Sequence, residues 1–203
     1  MFRDFLFTGI GVATGLILTP AFAATVEQDF HRAAYALHER LIAEATSKST
    51  VKIEEEEGNY EGAAAARYRY RDTRYYDTQS GQLLSRVRRD AAAPELIHIV
   101  EVNVYENGRL TRDFASVSLP WAPLQPVRTF INLHLYNGKL HSFRQYDLSG
   151  QVNYESCGGE LAGKPVRIAL DASDLNASST GTPAYKACFD GMSRDWARYK
   201  TPQ

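Results

Sequence analysis

Thr129-Phe130-Ile131-Asn132-Leu133-His134-Leu135-Tyr136, then Asn137-Gly138, then Lys139-Leu140-His141-Ser142-Phe143-Arg144-Gln145-Tyr146-Asp147 is the most legible stretch of the chain. Two runs rich in β-branched and aromatic residues flank an Asn-Gly pair, the dipeptide best suited to a two-residue type I′ turn. With Asn137 and Gly138 as the loop, Tyr136 faces Lys139, Leu135 faces Leu140, and His134 faces His141. Side chains alternate along a strand, so one face of this ribbon carries Ile131, Leu133, Leu135 and Leu140. The other face carries Asn132, His134, Tyr136, Lys139 and His141. An apolar face of this kind must be buried, which places the hairpin in the middle of a larger sheet.

Hairpin punctuation continues on both sides. Upstream, Arg67 to Asp77 answers Gln82 to Asp90 across Thr-Gln-Ser-Gly, and Glu95 to Glu106 turns at Asn107-Gly108 into Arg109 to Leu119. Val51 to Glu57 supplies a candidate first strand, and Pro120, Pro123 and Pro126 mark a stiff connection around Trp121. Downstream, Leu148 to Gly150 turns into Gln151 to Cys157, a strand that Gly158-Gly159 is expected to end, and Val166 to Leu170 adds another. Ahead of the sheet, Val26, Phe30, Ala33, Leu37 and Leu41 recur at helical spacing behind a candidate capping box, Thr25 to Gln28. The fold expected is α+β: an N-terminal amphipathic helix over residues 24–48, packed on a curved antiparallel meander of about six to eight strands within 51–170. Residues 171–203 read as loop and a short helical tail, in which Trp196 and Tyr199 pack down.

The first 23 residues read as a signal peptide. Phe5 to Phe22 is uncharged and apolar or small, and Ala21-Phe22-Ala23 is an A-x-A cleavage site. The glycines, threonines and Pro20 within it make it marginal for spanning a hydrocarbon core of about 30 Å. Cleavage there leaves one exported domain, periplasmic or secreted, with no stable membrane span. Two cysteines in an oxidising compartment pair, and a Cys157–Cys188 bridge closes a loop worth roughly 3 to 4 kcal/mol in the chain-entropy model.

Composition narrows the function classes. Hydrophobic residues make up 44% and charged residues 23%, with a formal net charge of −1, so nothing global points to nucleic acid. No nucleophile elbow, phosphate loop, dinucleotide fingerprint or H-E-x-x-H motif occurs, and no cofactor is implied.

Three constellations are candidates for chemistry. His134 and His141, opposite one another at roughly 5 Å between Cβ atoms, form half of a metal site; zinc requires a third ligand for catalysis and a fourth for structure. Arg69, Arg71, Arg86 and Arg88, interleaved with Tyr68 and Tyr70, share a face if Asp77 pairs with Gln82, and then suit an anionic ligand or acidic partner. Glu54 to Glu57 just upstream is the competing explanation, an adjacent strand that pairs off the ladder. His31 and His38 lie about 10 Å apart along the helix axis, too far for one metal, and read as packing or surface residues.

These readings point first to a non-enzymatic exported binding or accessory protein that uses a sheet face for a protein partner or small anionic ligand. The alternatives are a metal-dependent hydrolase or metal-binding protein at the His pair, and a carrier of an apolar ligand in the concave sheet.

Overall fold

A computed structural model describes residues 20–61, 67–121 and 128–199, with side chains described from Val26 onward. Its centre is an open sheet of nine antiparallel strands in sequence order, with β1 and β9 as its edges. The strands are β1 Val51–Asn59, β2 Arg69–Asp77, β3 Leu83–Asp90, β4 Ile97–Glu106, β5 Arg109–Val117, β6 Arg128–Asn137, β7 Leu140–Asp147, β8 Val152–Leu161 and β9 Lys164–Asp171. Helix α1, Pro20–Ser47, crosses one face, while the short helices α2, Ala177–Thr180, and α3, Pro183–Phe189, close the chain. Among the described residues no helix is long and apolar enough to cross a membrane.

The strand count exceeds the six to eight expected because all nine candidate segments form strands, and Gly158-Gly159 does not end β8. The strand runs through both glycines and turns at Ala162-Gly163, both at positive φ, into β9. Gly159, at φ 138°, is where the β6–β7 turn comes closest: a Cβ there would lie 2.1 Å from the Lys139 carbonyl oxygen. The glycine serves that close backbone approach and leaves pairing intact.

Helix α1 begins at Pro20, so Thr25 lies inside the helix and is not its N-cap. Proline is pre-set for a first helical position, and the alanines after it propagate the turn. The buried stripe is Phe30, Ala34, Leu37 and Ala45, rotated slightly from the expected one, with Val26 exposed. Ala34, with no side chain beyond Cβ, is fully buried in the helix–sheet interface. Beneath the helix lie Val100, Val102, Phe114, Ile131 and Leu133, with Phe30 tilted against Phe114 at 5.9 Å between ring centres. Two histidines dock the helix: His31 Nδ1 meets Ser116 Oγ at 2.8 Å, and His38 Nδ1 meets Ser85 Oγ at 2.7 Å. This is the packing role that their spacing suggested.

The second half of the helix face is covered by α3, pinned through the Cys157–Cys188 disulfide. Trp196 packs against the same core, its indole over Gly150, where a Cβ would collide with the ring. Under α3 lies a buried ion pair, Arg144 with Glu155, each 2% exposed. Tyr185 Oη donates to Glu155 Oε2 at 2.7 Å, and Tyr146 Oη and Arg144 Nη1 both donate to the Ser193 carbonyl. A buried charge pair persists where its remaining hydrogen-bonding capacity is met, as here.

Candidate functional site

Register decides which candidate residues meet. In the β6–β7 hairpin Asn137 pairs with Leu140, so the turn residues are Gly138 and Lys139, one place later than expected. Gly138 has φ 58° and Lys139 is not at positive φ, the φ pattern of a type II′ turn. Asn107-Gly108, by contrast, is positive at both residues, as a type I′ turn requires. The pairing partner of every β6 residue therefore moves by two: His134 opposes Phe143, and Tyr136 opposes His141. A shift of two keeps each side chain on its expected face. Only Lys139 leaves the ribbon for the turn.

His134 and His141 thus become diagonal neighbours on the outer face, away from the helices. His134 Nδ1 lies 3.0 Å from His141 Nε2, with the rings 8° from parallel and their centres 5.3 Å apart. An imidazole nitrogen lies little more than an ångström from its ring centre. Nitrogens at 3.0 Å with centres at 5.3 Å must therefore both lie on the line between the centres. The rings are coplanar and end to end, joined by a near-linear N–H···N hydrogen bond. A zinc ion held at about 2.0–2.1 Å by each nitrogen would need about 4 Å between collinear donors. The pair as built encloses a proton.

A carboxylate that the ribbon alone does not contain completes the chain. Asp113 on β5 accepts from His134 Nε2 through Oδ2 at 2.7 Å and from Asn132 Nδ2 through Oδ1 at 2.6 Å. Gln145 Nε2 donates to Asn132 Oδ1 at 3.2 Å, and the Tyr136 ring stacks on His141 at 4.6 Å. Burial, then the neighbouring His134, hold the His141 pKa below its ordinary value. Among the described residues no three His, Cys, Asp or Glu side chains are grouped to hold a metal ion.

The arginine ladder divides between the two faces. Asp77 N does bond the Gln82 carbonyl at 2.8 Å, but β3 then bulges at Leu84, so that Tyr76 opposes Leu83 and Tyr75 opposes Ser85. One extra residue exchanges the faces of everything beyond it. Arg86 and Arg88 point outward with Tyr70, whereas Arg69 and Arg71 lie on the helix face. Arg71 opposes Arg89, and Asp72 opposes Arg88. This corrects the shared face expected of the four arginines. Asp72, 1% exposed, accepts from Arg86 Nη2 at 2.6 Å and Arg88 Nη2 at 2.9 Å. Burial pushes its carboxyl up, yet the two guanidiniums hold it below its ordinary value. β1 is the adjacent strand, and Glu57 takes Arg69 at 3.0 Å and Arg71 at 2.8 Å. Tyr70 lies under Arg88, 3.8 Å from the guanidinium carbon, and Tyr68 accepts from Arg67 at 2.9 Å. Each of the four arginines is thus met by a carboxylate of the chain.

A different opening carries cations in excess. The β5–β6 ladder runs from Val117–Arg128 to Arg112–Leu133 and stops, although β5 begins at Arg109 and β6 continues to Asn137. Its cause is the bulge at Thr111, which sits between Val104–Arg112 and Tyr105–Leu110 and whose Oγ1 donates to the Val104 carbonyl. The β4–β5 tip swings from β6 and leaves a notch with two mouths, about 380 Å³ on the side of the C-terminal tail and about 460 Å³ on the other. Both mouths share Glu106, Thr111, His134 and Leu135. Arg112 and Arg198 line the first and Arg109 the second.

No family model, curated protein or solved structure matches this chain.

Asp113 and the notch arginines escaped the sequence reading. Counted from the Asn107-Gly108 turn, Asp113 falls opposite the buried Val102, on the core face; the bulge at Thr111 moves it opposite Asn103, on the outer face. Its meeting with His134, however, depends on β5 pairing with β6 across the Pro-rich connection, much of which lies outside the described residues.

Proposed function

We propose that the protein is an exported, non-enzymatic binding or accessory protein that holds a small anion, or an acidic group of a partner, in the notch between β5 and β6. The observation that carries this reading is the lining: among the described residues Arg109, Arg112 and Arg198 stand against Glu106 as the one carboxylate. Arg112 is 28% exposed and pairs with Glu106 at 3.3 Å, while its buried Nε has no hydrogen-bond acceptor among the described residues. Arg112 and Arg198 both stand over the Tyr199 ring, and Arg109 over Tyr136, which keeps the planar donors ordered. Carboxylate, sulfate and phosphate groups match such forks. The ladder on β2 and β3 is weaker support, since its charges are satisfied within the chain. The A-x-A site and the Cys157–Cys188 bridge support the exported setting.

Calorimetric titration of the mature protein with sulfate and with citrate tests the site. Arg109→Ala combined with Arg112→Ala is expected to weaken binding about 10- to 100-fold, as loss of charge-assisted hydrogen bonds implies. Arg71→Ala combined with Arg88→Ala is expected to leave it unchanged. The reverse pattern moves the site to the ladder, and retained affinity in both pairs overturns the anion reading.

A further inference from the structure

The direction of donation in the outer-face chain is set from its carboxylate outward. Asp113 only accepts, so His134 carries its proton on Nε2 and presents a lone pair at Nδ1. The proton between the two rings then belongs to His141 Nε2. His141 Nδ1, on the exposed end of the chain, meets no hydrogen-bond partner among the described residues and is left as a lone pair. The chain has room for one more proton, and that proton enters at the surface.

Once it binds at His141 Nδ1, the hydrogen bond between the rings can hand charge inward. The N–H bond at His141 Nε2 breaks, an N–H bond at His134 Nδ1 forms, and the single added positive charge comes to rest on His134. There it lies 2.7 Å from Asp113 and lines both mouths of the notch. The same linkage orders the rest of the site, since His141 stacks on Tyr136 and Tyr136 lies under Arg109.

We propose that the notch takes its anion together with a proton, the Asp113–His134–His141 chain being the proton acceptor. The inference rests on the anion-binding reading above and adds the coupling. The charged and titratable groups around the pair include Asp113, Arg109 and Arg112 on β5, Tyr105 and Glu106 on β4, Tyr136 on β6, and Arg198 and Tyr199 in the C-terminal tail. On the β7–β8 side stands Lys139, whose Nζ pairs with Glu160 at 3.0 Å. Among side-chain types, imidazole is the one whose charge ordinarily changes between neutral and mildly acidic pH. The site then favours a small oxyanion as the medium acidifies and releases it as the medium becomes alkaline.

The probe is sulfate, which carries the same charge across this range. Titrations from about pH 8 to about pH 5.5, each in two buffers of different ionisation heat, report affinity and protons taken up together. Affinity is expected to rise about tenfold on acidification, with uptake approaching one proton per sulfate. His141→Asn, outside the notch lining, should abolish the uptake while sulfate still binds at the alkaline end through the arginines, and His134→Asn should abolish the uptake as well. Glu106→Gln should retain the uptake. Sulfate binding with no uptake and a constant affinity overturns the coupling but leaves the anion site standing. Uptake that survives both histidine substitutions assigns the proton elsewhere and also overturns the coupling. Failure of sulfate to bind at any pH removes both.

Discussion

Acid–base pairs stabilise both ends of this sheet, under opposite conditions. At the β1–β2 end Glu57 meets Arg69 and Arg71 in the open, with side chains 42%, 65% and 47% exposed. At the β7–β8 end Arg144 and Glu155 are sealed under α3 with two tyrosines and a backbone carbonyl as further partners. Exposed pairs contribute little because water and salt do nearly as well as the partner. In the buried pair the attraction is offset by desolvation, so its weight shows when one member is lost and the other is stranded.

The widest separation between the two ends is expected from Glu155→Ala, which leaves the Arg144 guanidinium buried without its carboxylate. It should cost about 3 to 5 kcal/mol of unfolding free energy. Urea denaturation checks this, and a loss below about 1 kcal/mol would mean that water reaches the site beneath α3.

His38 lies between these extremes. Burial, and then the charge of Arg89, push its pKa down to about 4. The folded state therefore binds fewer protons than the unfolded chain below the ordinary histidine value of about 6.5. Its contribution is fully present above that pH and is lost as pH falls toward about 4, to a total of about 3 kcal/mol. His31, lowered by burial, shifts stability in the same direction. Denaturation midpoints between about pH 7.5 and 4.5 should fall, and His38→Asn should flatten the slope; an unchanged slope in that variant rejects the assignment. The smallest effect belongs to Arg69→Ala, expected within about 1 kcal/mol and diminished further by added salt.

Much of this architecture follows from alternation alone. The faces of β6 and β7 are readable because side-chain period depends only on parity, and the turn at Gly138-Lys139 displaces partners by an even number. The Cys157–Cys188 bridge and the helix docked on one face were legible on the same level. Bulges are not. Leu84, His98 and Thr111 are extra residues opposite a partner strand, a relation that one strand's sequence does not contain. Leu84 therefore divided an arginine ladder that otherwise reads as continuous, and Thr111 opened the notch. Asp113 is hidden twice: the Thr111 bulge sets its face, and its neighbour is set by pairing between strands joined through a long connection.

Strand order has a further consequence, for how the chain folds. Every strand pairs with its neighbour in sequence, so no segment has to wait for a distant one before its ladder can form. Contacts of this local kind favour fast folding for a protein built so largely of strands. The chief exceptions are α1, which packs on β3 to β6, and α3, which the disulfide ties back to β8. Hairpins can zip in the order in which they emerge, and the helix already present can settle on β3 to β6 as they join.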